Sequence, residues 1–196
     1  MESNIPSAHH HVHQHSPERL ETPERVHELN PAATLAKIGF TAGQVLCDIG
    51  AGSGLFTLPA AHITQQTVYA LDVNPAMIAA VQAKAKAADL ANIDLRKVEG
   101  QHLPVPDDSV DLALVATVLH EIPQKGPFIR EIQRLLKPDG RLAVIEFHGK
   151  ATPMGPPSSE RLGQDVVIAL MEAHDFSVID QFDLGPNLYC VVFRKA

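Results

Sequence analysis

The stretch Val45-Leu46-Cys47-Asp48-Ile49-Gly50-Ala51-Gly52-Ser53-Gly54-Leu55-Phe56 constrains the fold of this chain more than any other segment. Apolar residues carry a single acid, Asp48, and then break into glycines at alternate positions, Gly50, Gly52 and Gly54. Apolar residues resume behind them at helical spacing. The pattern predicts a buried strand, a tight turn and the start of a helix. Glycines in such a turn allow positive φ and let a ligand approach the main chain with no Cβ in the way. The turn therefore reads as a cradle for a nucleotide cofactor. A dinucleotide fingerprint places glycines at the first, third and sixth positions. Here the sixth position is Leu55 and the third glycine falls at the fifth.

Strand-like and helix-like segments alternate from this turn onward, as in a parallel α/β sheet. Strands are expected at 45–49, 68–73, 93–98, 111–117 and 142–147, the fourth entirely apolar after its first acid, as a strand covered on both faces should be. Asn30-Pro31 and Asn74-Pro75 each pair a capping residue with a first-turn proline. They open helices expected to end near residues 38 and 88. Further helices are expected at 123–136, stopped by the turn Lys137-Pro138-Asp139-Gly140, and at 160–174. The last two strand-like runs, 176–184 and 188–194, flank Gly185-Pro186-Asn187 and predict an antiparallel hairpin. The fold class is α/β: a Rossmann-like doubly wound sheet of seven strands, mostly parallel, ending in that hairpin.

A chain of 196 residues is read as one domain, 24–196, with residues 24–44 as an N-terminal lid and helix. Residues 1–23 form a polar, proline-marked tail with His9, His10, His11, His13 and His15 crowded together. It is expected to be flexible and to bind metal adventitiously, since imidazole ligates zinc, copper and nickel well. The formal charge of −7 repels phosphate backbones and argues against a nucleic-acid partner. The longest apolar run, 112–119, is too short to span a bilayer. No leader pattern opens the sequence, and Cys47 and Cys190 sit in apolar strands as buried free thiols would. A cytoplasmic monomer or homodimer acting on a small molecule is the expectation.

An acid two residues before Gly-x-Gly-x-Gly resembles motif I of the class I S-adenosylmethionine (SAM)-dependent methyltransferases. Asp72 stands at the end of the second strand, 18 residues after Gly54, where an acid can accept two hydrogen bonds from a ribose. Asn74 is left to cap the next helix. The run Val98-Glu99-Gly100-Gln101-His102-Leu103-Pro104, continuing through Asp107-Asp108 to Asp111, resembles the family's Gly-Asp and Leu-Pro region. Gln101 replaces the common acid there, so its amide oxygen would meet the adenine amino group without a charge. Leu135-Leu136-Lys137-Pro138-Asp139-Gly140-Arg141-Leu142 resembles the family's closing turn. Residues 45–147 together resemble the methyltransferase domain related to the ubiquinone/menaquinone-biosynthesis C-methyltransferases. The resemblance implies SAM as cofactor and S-adenosylhomocysteine as product. It implies cofactor contacts from Asp48, Gly50, Ala51, Gly52, Gly54, Asp72, Val73, Met77, Gln101, His102 and Ala116, with turn N–H groups holding the methionine end.

The transferred methyl would face the carboxyl ends of the fourth and fifth strands, where His120, Glu146 and His148 are the candidates for acid–base or orienting roles, with Glu121 behind them. The acceptor nucleophile could be carbon, oxygen or sulfur. Nucleobase amine methylation is disfavoured because Ala116-Thr117-Val118-Leu119-His120 lacks the Asn/Asp-Pro-Pro-aromatic turn. Two other readings stand beside this one: a nicotinamide-dependent oxidoreductase, disfavoured by Leu55, and a non-catalytic SAM-binding or metal-responsive protein using the histidine tail.

Overall fold

In the computed structural model, which describes residues 16–196, seven strands form one sheet in the order β3-β2-β1-β4-β5-β7-β6. The strands are β1 (Leu46–Ile49), β2 (Val68–Asp72), β3 (Ile93–Lys97), β4 (Val110–Ala116), β5 (Leu136–Phe147), β6 (Phe176–Asp183) and β7 (Leu188–Lys195). The first five run parallel, and β7 lies antiparallel between β5 and β6. The helices are α1 (Pro17–Leu20), α2 (Pro23–Leu29), α3 (Pro31–Lys37), α4 (Thr57–Ile63), α5 (Pro75–Ala87), α6 (Lys125–Leu135) and α7 (Gln164–Glu172). The histidine cluster expected to bind metal lies outside the described residues.

Strand alternation sorts the apolar side chains into two cores. Cys47, Ile49, Ala113, Val115, Leu142 and Val144 point to the face covered by Ile129 and Ile132 of α6 and by Val167 and Met171 of α7. Leu46, Leu112, Leu114, Ala143 and Ile145 point to the opposite face, under Leu35 of α3 and Ala60 and Ala61 of α4. The central strands are therefore apolar on both sides, which a parallel strand sandwiched between helix layers requires. Both cysteines are buried and unbridged, as the sequence suggested. Among the described residues, no helix is long and apolar enough to cross a membrane.

Several boundaries differ from expectation; the tail expected at 1–23 already holds α1 and the first residue of α2. α6 starts at Lys125, not at residue 123, because Pro127 has no N–H to donate and belongs in a first turn. α7 starts at Gln164 and not at 160. A 3-10 turn (Ser158–Glu160) precedes it, and Arg161 folds back to donate to the carbonyls of Lys150, Met154 and Pro156. β5 begins before the Lys137-Pro138-Asp139-Gly140 turn: Leu136 pairs with Val110, the turn bulges out with Asp139 at φ 62, and pairing resumes at Arg141 opposite Leu112. Asn74 caps α5 by accepting from the Ala76 N–H at 2.9 Å. Asn30, by contrast, makes no side-chain cap and serves as a left-handed joint between α2 and α3.

Candidate active site

A cavity of about 1420 Å³ opens at the carboxyl edge of β1, β2, β4 and β5. Pockets that hold one drug-sized ligand run to roughly 300–1,000 Å³, so this one has room for two molecules side by side. One wall is the glycine turn and the end of β2; the other is built from α2, the ends of β4 and β5, and the loop after β5. A shallower hollow of 780 Å³ lies on the far side of α2, against the β6–β7 turn.

The glycine turn needs its glycines. Gly50, Gly52 and Gly54 have φ of 76, 53 and 88 degrees, and a Cβ on Gly50 would stand 2.4 Å from Val118 Cγ2. Several of the turn's N–H groups are already taken within the fold. The Gly50 and Ala51 N–H groups both donate to the Leu71 carbonyl, Gly52 donates to Asp72 Oδ2 at 2.9 Å, and Gly54 donates to the Ala51 carbonyl. The turn is folded tightly onto the end of β2, which takes the N–H groups of Gly50, Ala51 and Gly52. What remains for a ligand is the backbone at Ser53 and Leu55, both of which line the cavity. The Ser53 hydroxyl is buried, with no hydrogen-bond partner among the described residues.

Asp48 and Asp72 lie beneath this wall. Asp48 is buried and accepts from the Thr57 hydroxyl at 2.6 Å. Burial pushes its carboxyl up to about 6; the Thr57 bond opposes that rise and the charge of Asp72 adds to it. Asp72 Oδ1 accepts from the Asn74 N–H, leaving lone pairs on both carboxylate oxygens beyond the two backbone bonds. Val73 is 61% exposed at the cavity rim whereas Met77 is buried in its floor. Gln101 lines the cavity with its amide bonded to Gln124, and Ala116 lines it at the end of β4. His102 does not line it. Its ring turns to Glu131, with Nδ1 and Oε2 2.9 Å apart, because Glu131 also receives the neighbouring Leu103 N–H.

Across the cavity stands His120, whose side chain is 8% exposed. Its Nδ1 lies 2.8 and 3.0 Å from the two oxygens of Glu146, and its own N–H donates to the same carboxylate at 3.1 Å. Glu146 is fully buried and does not line the cavity; it stands behind His120. Burial alone would lower the His120 pKa. The hydrogen bond to Glu146, the charge of Glu146 and that of Glu121 outweigh burial, and the net direction is up. With Nδ1 on Glu146, Nε2 is the nitrogen left for a substrate; Glu121 Oε1 lies 3.8 Å from it.

His148 is turned away from the cavity. On β5 alternate side chains share a face, so it follows Glu146 and not the cavity-lining Phe147. Its Nε2 lies 3.6 Å from Asp183, and its ring packs on Tyr189. Three residues not singled out from sequence do line the cavity: Arg25, Thr117 and Phe147. Arg25 stands four residues before buried Leu29, hence on the same helix face, and a charge on an apolar face was its one sequence signal.

An alternating α/β sheet in the order 3-2-1-4-5-7-6, with a glycine turn and a strand-end acid at one cavity, defines a nucleotide-cofactor enzyme of the methyltransferase type. A family model described as "Methyltransferase domain" matches residues 47–144. The chain belongs to that family, within the class I SAM-dependent methyltransferases. It is 33% identical over 125 residues to the ubiquinone/menaquinone biosynthesis C-methyltransferase of Pseudoalteromonas translucida, covering 62% of this chain and 50% of that protein. The demethylmenaquinone methyltransferase of Tropheryma whipplei is 36% identical over 115 residues, 59% of this chain and 46% of that one. The chain spans about half the length of these curated relatives. The crystal structure of a SAM-dependent methyltransferase from Aquifex aeolicus superposes with a TM-score of 0.87 at 26% identity, over 92% of this chain and 97% of that one.

Proposed function

We propose that this protein transfers the methyl group of SAM to a small-molecule acceptor, with His120 as the base. The observation that carries the reading is one cavity with two unlike walls: a glycine turn with Asp72 on one side and a carboxylate-backed histidine on the other. Asp72 holds the ribose hydroxyls, and the glycine turn receives the methionine end above Asp48. Val73, Met77 and Gln101 bound the adenine. The bound cofactor supplies a methyl group on a cationic sulfur, a donor reactive enough that alignment and water exclusion account for most of the rate.

His120 accepts the acceptor's proton at Nε2, and Glu146 holds the imidazole in the tautomer with its hydrogen on Nδ1. Glu146 is thus a positioning residue. The names of the two curated relatives support carbon on a quinone-type ring as the acceptor atom. Two buried free thiols support a reducing, cytoplasmic setting.

Calorimetry with SAM and with NADH tests the cofactor, and transfer of labelled methyl to quinols, phenols and thiols tests the reaction. SAM binding with label transfer is expected. Binding of NADH in its place, or SAM binding with no transfer to any of these acceptors, would overturn the reading.

A further inference from the structure

Arg25 is a charge at the cavity with few partners. Its guanidinium makes one hydrogen bond among the described residues, from Nη2 to the Thr117 hydroxyl at 2.7 Å, and its buried Nε has no partner. Burial lowers its pKa, and only the more distant charges of Glu146 and Glu28 oppose that shift. Neither acid is available to it. Glu146 is bonded to His120 and to the Phe147 N–H. Glu28 is bonded to the backbone N–H groups of Asn187 and Leu188, at 2.7 and 3.0 Å, and to the Asn187 amide. A partly buried cation with no carboxylate bonded to it among the described residues is an expensive arrangement, and removing a charge's partner is destabilising.

The surroundings keep Arg25 where it is. Thr117 has φ 57, a strained value for a β-branched residue at the end of a strand, and its hydroxyl receives the guanidinium. Glu28, one helical turn from Arg25, pins α2 to the β6–β7 turn, where a Cβ on Gly185 would stand 2.7 Å from Glu28 Cγ. Arg25 also shares Phe147 with the base: its guanidinium carbon lies 5.9 Å from the centre of that ring, and the His120 ring centre lies 6.1 Å from it. Arg161 lies 5.5 Å from the same ring but spends its donors on loop carbonyls.

The geometry points to an anion subsite: Arg25, held by Thr117, receives an anionic oxygen of the methyl acceptor, a carboxylate or a phenolate, beside the His120 base. This rests on the methyltransferase reading for the identity of the bound molecule. An ionised oxygen supplies the partner the guanidinium lacks, through charge-assisted hydrogen bonds to its Nη groups at the cavity. Acceptors of this class are acids of modest size, selected by a side chain on α2 and not by the sheet.

The test is titration of the full-length protein, alone and saturated with S-adenosylhomocysteine, using two matched pairs of probes: benzoate against benzamide, and 4-nitrophenolate against nitrobenzene. The anion of at least one pair is expected to bind about tenfold or more tightly than its neutral partner, the scale of a hydrogen bond to a charged group. The benzoate pair reports a carboxylate acceptor and the nitrophenolate pair a phenolate. Arg25→Gln is expected to abolish the preference and Arg25→Lys to keep part of it, with cooperative thermal unfolding showing that both variants fold. Equal binding within both pairs, no probe binding, or a preference that survives Arg25→Gln would overturn the subsite. S-adenosylhomocysteine binding is read on the same preparations. Its absence strikes at the methyltransferase reading, whereas its presence without an Arg25-dependent preference strikes only at the subsite.

Discussion

The two walls of the cavity are made differently. The glycine-turn wall comes from one short stretch and the end of the next strand, and the N–H groups of its three glycines and of Ala51 are bonded within the fold. The opposite wall is assembled from α2, β4, β5 and the loop after β5, and it carries a buried histidine–glutamate pair and an arginine with no acid bonded to it among the described residues. The first wall is shape, fixed by backbone; the second is chemistry, fixed by side chains brought from far apart. A binding surface of the first kind suits a partner that is always the same. One of the second kind suits a partner that can change while the fold does not.

Substitutions on the two walls should therefore separate affinity from turnover. The largest effect is expected from His120→Ala, which removes the base: labelled methyl transfer falls by about 10²–10⁴-fold while calorimetric SAM affinity is unchanged. A loss of SAM affinity of similar size would merge the two walls into one functional unit. Asp72→Ala is expected to do the reverse, weakening SAM binding by about 1.5–3 kcal/mol, the range for hydrogen bonds to a charged group. Retained affinity in that variant would remove the ribose contact.

The smallest effect, and the sharpest, is expected from Glu146→Gln. The base works unprotonated, so the rate rises as pH climbs through the His120 pKa, which Glu146 helps to raise. Deleting that negative charge lowers the pKa, so the acid limb of the rate profile moves to lower pH. The plateau drops by about tenfold because the tautomer is less firmly held. A drop without displacement of the limb would make Glu146 a packing residue only.

What could be read from sequence divides along the same line. The strands and the glycine turn were legible because their signals are local: apolar runs, Asn-Pro pairs and alternate glycines all act within a few residues. Which of the turn's amides are taken is not legible in the sequence, since only the fold brings the Leu71 carbonyl to two of them. The start of α7 was misplaced because Arg161 is claimed by carbonyls five to eleven residues before it. His148 was grouped with Glu146 as strand-end chemistry, although Phe147 between them faces the cavity and His148 does not. The Arg25–Thr117 contact joins residues 92 apart, and no window of sequence contains it.

The strand order has a consequence for how such a protein is born. β1 lies between β2 and β4, and Gly50 is locked by a carbonyl from Leu71 and packed on Val118. Loop closure over that span must precede the contacts that reward it. A nascent chain emerging from the ribosome can write out the whole glycine motif and still lack the finished cofactor wall until the fourth strand has followed it.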